Sequence, residues 1–135
     1  MGTWDVGSFD NDTAVDWTYG LEEVDDLSYV ETTLDRVVSH PPQENLSAEA
    51  GECAIAAAEV IARLRQKGGE ENAYSETVDT WVRAHPIAPP PALVTKALAA
   101  LDRVVTPPSE LYELWDETGI DEWLDALTEL KGRLA

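Results

Sequence analysis

The stretch SAEAGECAIAAAEVIARLRQ, residues 47–66, constrains the fold more than any other part of the chain. Alanine has the highest helix propensity of any residue, the run contains no proline, and basic residues gather at its end, where they suit the negative pole of a helix dipole. It reads as a long buried helix capped by Ser47 and stopped by Gly68 and Gly69. Ala54, Ala57, Ala58 and Ala62 would let neighbouring helices approach closely, which makes this segment the expected central element. Its lone Cys53 sits among apolar residues and excludes an intrachain disulfide, so it reads as a small hydrophobe in a reducing compartment.

Helical spacing recurs on both sides. Val24, Leu27, Val30, Leu34 and Val37 form one stripe over residues 22–38. Ser75 opens a short helix with Val78, Trp81 and Val82 on one face, and the proline-rich stretch from Pro86 to Pro91 reads as a stiff turn. Leu93, Ala97, Leu101 and Val104 align in the next helix, which Pro107 and Pro108 end. Two short amphipathic helices follow, the first starting at Ser109, and they meet near Gly119. Residues 1–10 read as a short extended lead segment. The expectation is an all-α, compact helical bundle of about six or seven helices, formed by residues 1–135 as one domain.

Charge is the second constraint. The chain carries 27 acidic and nine basic residues, a net charge of -18, and ten acids precede the first basic residue, Arg36. Such a field repels nucleic-acid phosphates and anionic lipids and steers basic proteins inward, although solubility or a salty cytoplasm would account for it as well. No apolar run approaches the roughly 20 residues that a bilayer demands, and no basic-then-apolar leader is visible, so the expected address is the cytoplasm.

FDNDTAVDW, residues 9–17, supplies the residue types that cap a first helical turn. Asp10 or Asp12 is the expected cap, with Phe9 and Trp17 folding inward as in a hydrophobic staple. A calcium loop counted from Asp10 would need glycine and glutamate where Val15 and Leu21 stand; Asp10, Asp12 and Asp16 leave only a weak divalent site as the alternative. Together with the ECAIAAAEVIA helix, the WV helix and SELYELWDE, the opening MGTWDVGSFDNDTAVDW resembles the small bacterial family catalogued as domain of unknown function 4259. The resemblance spans nearly the whole chain and implies a compact helical protein. It transfers no catalytic residue.

Catalytic patterns are sparse. His40 and His85 each precede a proline and read as helix terminators, and no nucleophile elbow, phosphate loop or zinc pair is present. Acid pairs at helical spacing, such as Asp121 with Asp125, read as solvated surface before glycosidase chemistry. No cofactor or metal is expected. Most of the five tryptophans should be core, whereas Trp115 stands beside Glu113, Asp116 and Glu117 and suits cationic partners. The leading expectation is therefore an acidic binding protein, in concrete form an immunity-type inhibitor that occludes a basic toxin or nuclease. It would use Glu22, Glu23, Asp25, Asp26, Glu31 and Asp35 on the exposed side of the second helix, with Glu113, Trp115, Asp116 and Glu117 as a further contact group. A small enzyme or ligand-binding domain with carboxylates in an interhelical pocket is the alternative, and an assembly module a third. The sequence leaves the oligomeric state open.

Overall fold

In the computed structural model, residues 7–69, 71–73 and 75–135 are described. Seven helices follow one another: α1 (Asp12–Leu21), α2 (Ser28–Val38), α3 (Ala48–Leu64), α4 (Glu76–Ala84), α5 (Pro91–Val104), α6 (Glu110–Thr118) and α7 (Asp121–Leu134). No strand occurs among the described residues, and the all-α expectation holds. Most of the expected extended lead segment, including Trp4, lies outside the described residues. Its visible part, Gly7 to Asp10, is a tight turn closed by Asp10 N–H to Gly7 O at 3.1 Å and Gly7 N–H to Asp10 Oδ2 at 3.0 Å.

The first cap is neither Asp10 nor Asp12. Asn11 takes the extended backbone of a cap and accepts from the Ala14 N–H at 2.6 Å. Asn11 is buried, where a neutral amide loses less hydration than a carboxylate would. Asp12 instead occupies the first turn, where its charge complements the dipole. Phe9 and Trp17 do turn inward and are both buried.

The second helix begins later than its apolar stripe suggested. Residues 22–27 form a connection, because Asp26 accepts from both the backbone N–H and the hydroxyl of Ser28, at 3.0 and 2.6 Å, a local alternative to continued helix. Val24 and Leu27 still pack against the core from this connection. Glu22, Glu23, Asp25 and Asp26 therefore do not lie on the second helix.

α3 is the hub. It packs against α1, α2, α4, α5, α6 and α7, and Ala54, Ala56, Ala57, Ala58 and Ala62 are completely buried at 0% exposure. Ser47 caps it as expected, accepting from Ala50 N–H at 3.2 Å. Its stop differs: Gln66, with φ of 63°, takes the left-handed position, and Lys67 N–H reaches Ala62 O at 2.9 Å while Gln66 N–H reaches Arg63 O at 3.0 Å. This pair of bonds is a Schellman motif built without glycine. Gly68 and Gly69 lie beyond it.

The other boundaries follow the chain's punctuation. Pro91 opens α5, and the Ser109 hydroxyl caps α6 while donating to Val104 O at 2.6 Å. Gly119, at φ of 120°, turns the chain between α6 and α7. Arg103 secures the loops around that region, donating to the carbonyls of Glu44, Thr106 and Pro108 at 2.7, 2.9 and 3.0 Å.

Two substitutions should move stability in opposite directions. Asn11→Ala removes a buried cap and should cost about 1 kcal/mol. Gln66→Gly relieves a left-handed side-chain residue, a penalty of about 1–2 kcal/mol, against glycine's added unfolded-state entropy of about 0.5–1 kcal/mol, so a small net gain is expected. Urea denaturation of both variants checks the pair.

Candidate functional site

A charge inside an alanine-rich helix must find a partner, and α3 carries two, Glu59 and Arg63, one turn apart. Glu59 is 3% exposed and Arg63 8%. Arg133 of α7 grips Glu59 with both terminal nitrogens, Nη1 to Oε2 at 2.7 Å and Nη2 to Oε1 at 2.8 Å. Ser8 donates its hydroxyl to Glu59 Oε1 at 3.0 Å. Arg63 bridges two carboxylates: its Nε lies 3.4 Å from Glu59 Oε2 and its Nη1 donates to Asp79 Oδ1 of α4 at 2.6 Å, while its guanidinium lies 5.6 Å from the Phe9 ring centroid. The second oxygen of Asp79 accepts from the Ser75 hydroxyl at 2.8 Å.

This network borders a cavity of about 190 Å³ lined in part by Ser8, Phe9, Glu59, Arg63 and Arg133. Its chemistry is nevertheless inward-looking. Arg133 also donates from Nε to Glu129 at 2.7 Å and from Nη1 to Lys67 O at 3.0 Å, and the carboxylates around it hold its guanidinium well above the usual arginine range. Both oxygens of Glu59 are engaged by the protein. The arrangement clamps α3, α4, α7 and the turn at Ser8 together, and nothing in the apolar spacing singled it out. The available signal was the Glu59 and Arg63 pair within an otherwise buried alanine helix.

The acids named from sequence fall into distinct settings. Glu31 and Asp35 of α2 are both held by Lys96 of α5, at 2.8 and 2.7 Å, and the hydrogen bond to Asp35, then that to Glu31, raises the lysine's affinity for its proton. These two are internal partners more than free carboxylates. Glu22, Glu23 and Asp26 in the α1–α2 connection, and Glu113, Asp116 and Glu117 of α6, are exposed, and no described cation lies within ion-pair distance of them. Trp115 is half-buried and stacked on Trp123 with ring centroids 6.2 Å apart, so much of its face already serves the α6–α7 contact.

Asp25 has a partner that the sequence did not suggest. His85, at the end of α4, stacks on Trp81 with centroids 4.5 Å apart. Its Nδ1 lies 2.9 Å from Trp81 O and its Nε2 3.0 Å from Asp25 Oδ1. Both neighbours are acceptors, so the imidazolium is the form that makes both bonds. The Asp25 bond, then the Trp81 carbonyl, push its pKa up. Trp81 Nε1 donates to Val24 O at 2.8 Å, giving the connection a second tie to α4. His85 is thus a helix terminator that also braces the acidic connection, while His40 lies 3.0 Å from Asn45 O.

Among the described residues no group of three or more histidine, cysteine or acidic side chains is arranged to hold a metal ion. Asp10 serves the Gly7 turn instead. Cys53 is half-buried, and burial, followed by the nearby Glu49, pushes its thiol up to about 11, far from a reactive thiolate at neutral pH. Among the described residues no helix is long and apolar enough to cross a membrane.

Arg133→Met should strand Glu59 in the interior and cost about 3 kcal/mol, whereas Arg36→Met, which breaks the exposed Arg36–Glu49 pair, should cost less than about 1 kcal/mol. Chemical denaturation compares them. For His85 the raised folded-state pKa fixes the sign: its contribution is complete below the unfolded value of about 6.5 and disappears as pH rises through the folded value. Titration of the imidazole by NMR should give a midpoint above that of Asp25→Asn, and the stability difference between the two proteins should vanish at alkaline pH.

Comparison with curated proteins and with solved structures returns no match. A family model described as Domain of unknown function (DUF4259) matches residues 2–126, a span that holds the Asn11 cap, the alanine helix with Glu59 and Arg63, and α4 with Trp81 and His85. The match covers most of the 135 residues, and the chain belongs to the DUF4259 family.

Proposed function

We propose that this protein is an acidic helical binding protein that acts in the cytoplasm on a basic protein, in its most concrete form an immunity-type inhibitor occluding the cleft of a basic toxin or nuclease. The observation that carries the reading is the α1–α2 connection. Glu22, Glu23 and Asp26 project from it without a described cation in reach, while Trp81 and His85 fix its backbone and Asp25. An anionic segment already held in place loses little conformational freedom on binding, which favours affinity as well as steering.

Glu113, Asp116 and Glu117 of α6 extend the negative field, and Trp115 contributes an aromatic edge beside them. Glu31 and Asp35, tied to Lys96, contribute to the field more than to contacts. The enzyme reading has weaker support, because the buried carboxylates of Glu59 and Asp79 are both engaged by arginines, even though Glu59 borders the cavity of about 190 Å³. An assembly role remains the third reading, without an observation that favours it.

Affinity capture at low salt, followed by stopped-flow association with the captured basic protein, tests the proposal. The association rate should fall at least tenfold as salt rises from about 20 to 300 mM, as the Debye length shrinks. Glu22→Gln/Glu23→Gln/Asp26→Asn should slow association several-fold with the melting temperature little changed. A rate indifferent to salt would refute the electrostatic reading.

A further inference from the structure

A groove of about 440 Å³ runs between the acidic connection and the outer face of α4. Its walls carry Glu22 from the connection and Glu76 from the first turn of α4, and Thr77, Thr80, Trp81 and Ala84 also line it. Glu22 and Glu76 are exposed, and no described cation lies within ion-pair distance of either. Among the described residues that line the groove the one basic group, His85, already faces Asp25. The groove therefore presents two carboxylates and two hydroxyls over a partly apolar lining.

We infer that this groove is the anchor point for an arginine side chain of the basic protein partner. The inference rests on the binding reading above and adds the residue it recognises. A guanidinium carries five N–H donors in a planar fork and stays weakly hydrated, so it can serve carboxylates from two walls at once while its methylene stem lies along Ala84 and the edge of Trp81. An ammonium is a compact, strongly hydrated point charge and leaves that fork-shaped opportunity unused. Both walls are held before binding: the connection by Trp81 to Val24, and α4 by Asp79 to Arg63.

Three soluble probes test this: N-acetyl-arginine amide, N-acetyl-lysine amide and N-acetyl-citrulline amide, each titrated at about 20 mM salt into the ¹⁵N-labelled full chain. The arginine probe should shift the Trp81 indole N–H and the backbone amides of Thr77 and Thr80, the citrulline probe should not, and the lysine probe should need at least threefold higher concentration. Equal responses to arginine and citrulline, or to arginine and lysine, would overturn the assignment, as would shifts spread evenly over α6 and α7. Octa-arginine binding then separates this claim from the broader one. Glu22→Gln/Glu76→Gln should weaken it at least fivefold more than Glu122→Gln/Asp125→Asn, which removes the same charge from α7. Equal weakening sinks the groove and leaves the electrostatic reading standing; no octa-arginine binding to the unaltered protein at low salt sinks both. Should the double variant melt early, Glu76→Gln alone takes its place, and the probe map needs no variant.

Discussion

Close approach to α3 is the constraint on which the rest of the molecule depends. A helix whose contacting face is alanine lets its neighbours come near its backbone, and six helices use that allowance. The same economy leaves little room for error: a larger side chain at Ala57 would have to displace neighbours at native packing density. It also creates the setting for Glu59 and Arg63, because polar groups on so crowded an element are dry and must be answered by other polar groups. Arg133, Asp79, Ser75 and Ser8 supply the answers.

Cations in this chain are scarce, and several of them tie one part of the fold to another. Arg63 and Arg133 serve the interior clamp, Arg103 gathers loop carbonyls, Lys96 bridges α5 to α2, and Lys131 pairs with Asp102. Pairing removes acids together with bases, so the outward excess comes from composition, 27 acids against nine bases, while the pairing decides which acids are left without a described cation in reach, among them those of the α1–α2 connection other than Asp25, and those of α6.

Much of the fold was legible because apolar spacing, prolines and serine caps are local signals. Ser47, Pro91 and Ser109 act where their chemistry directs. The departures came from competition among equally suitable residues. Three neighbouring polar residues could have capped α1, and burial selected Asn11; Val24 and Leu27 kept helical spacing in a segment that Asp26 and Ser28 turned into a connection. The candidate site was legible in part. Local charge density marked Glu22 to Asp26, but Lys96 lies 65 residues from Glu31 and His85 lies 60 from Asp25, separations that no local pattern reveals. The groove, whose walls come from two separate elements, was invisible for the same reason.

The Glu59–Arg133 contact joins residues 74 positions apart, whereas α2 and α3 are neighbours along the chain and pack directly. Closing the longer loop carries the greater entropy cost, though that cost grows only logarithmically with length. On that entropy argument the local α2–α3 hairpin is the favoured early contact and the docking of α7 a later one. Were the arginine clamp to form after the folding barrier, weakening it would chiefly hasten unfolding and leave the folding rate nearly as it was.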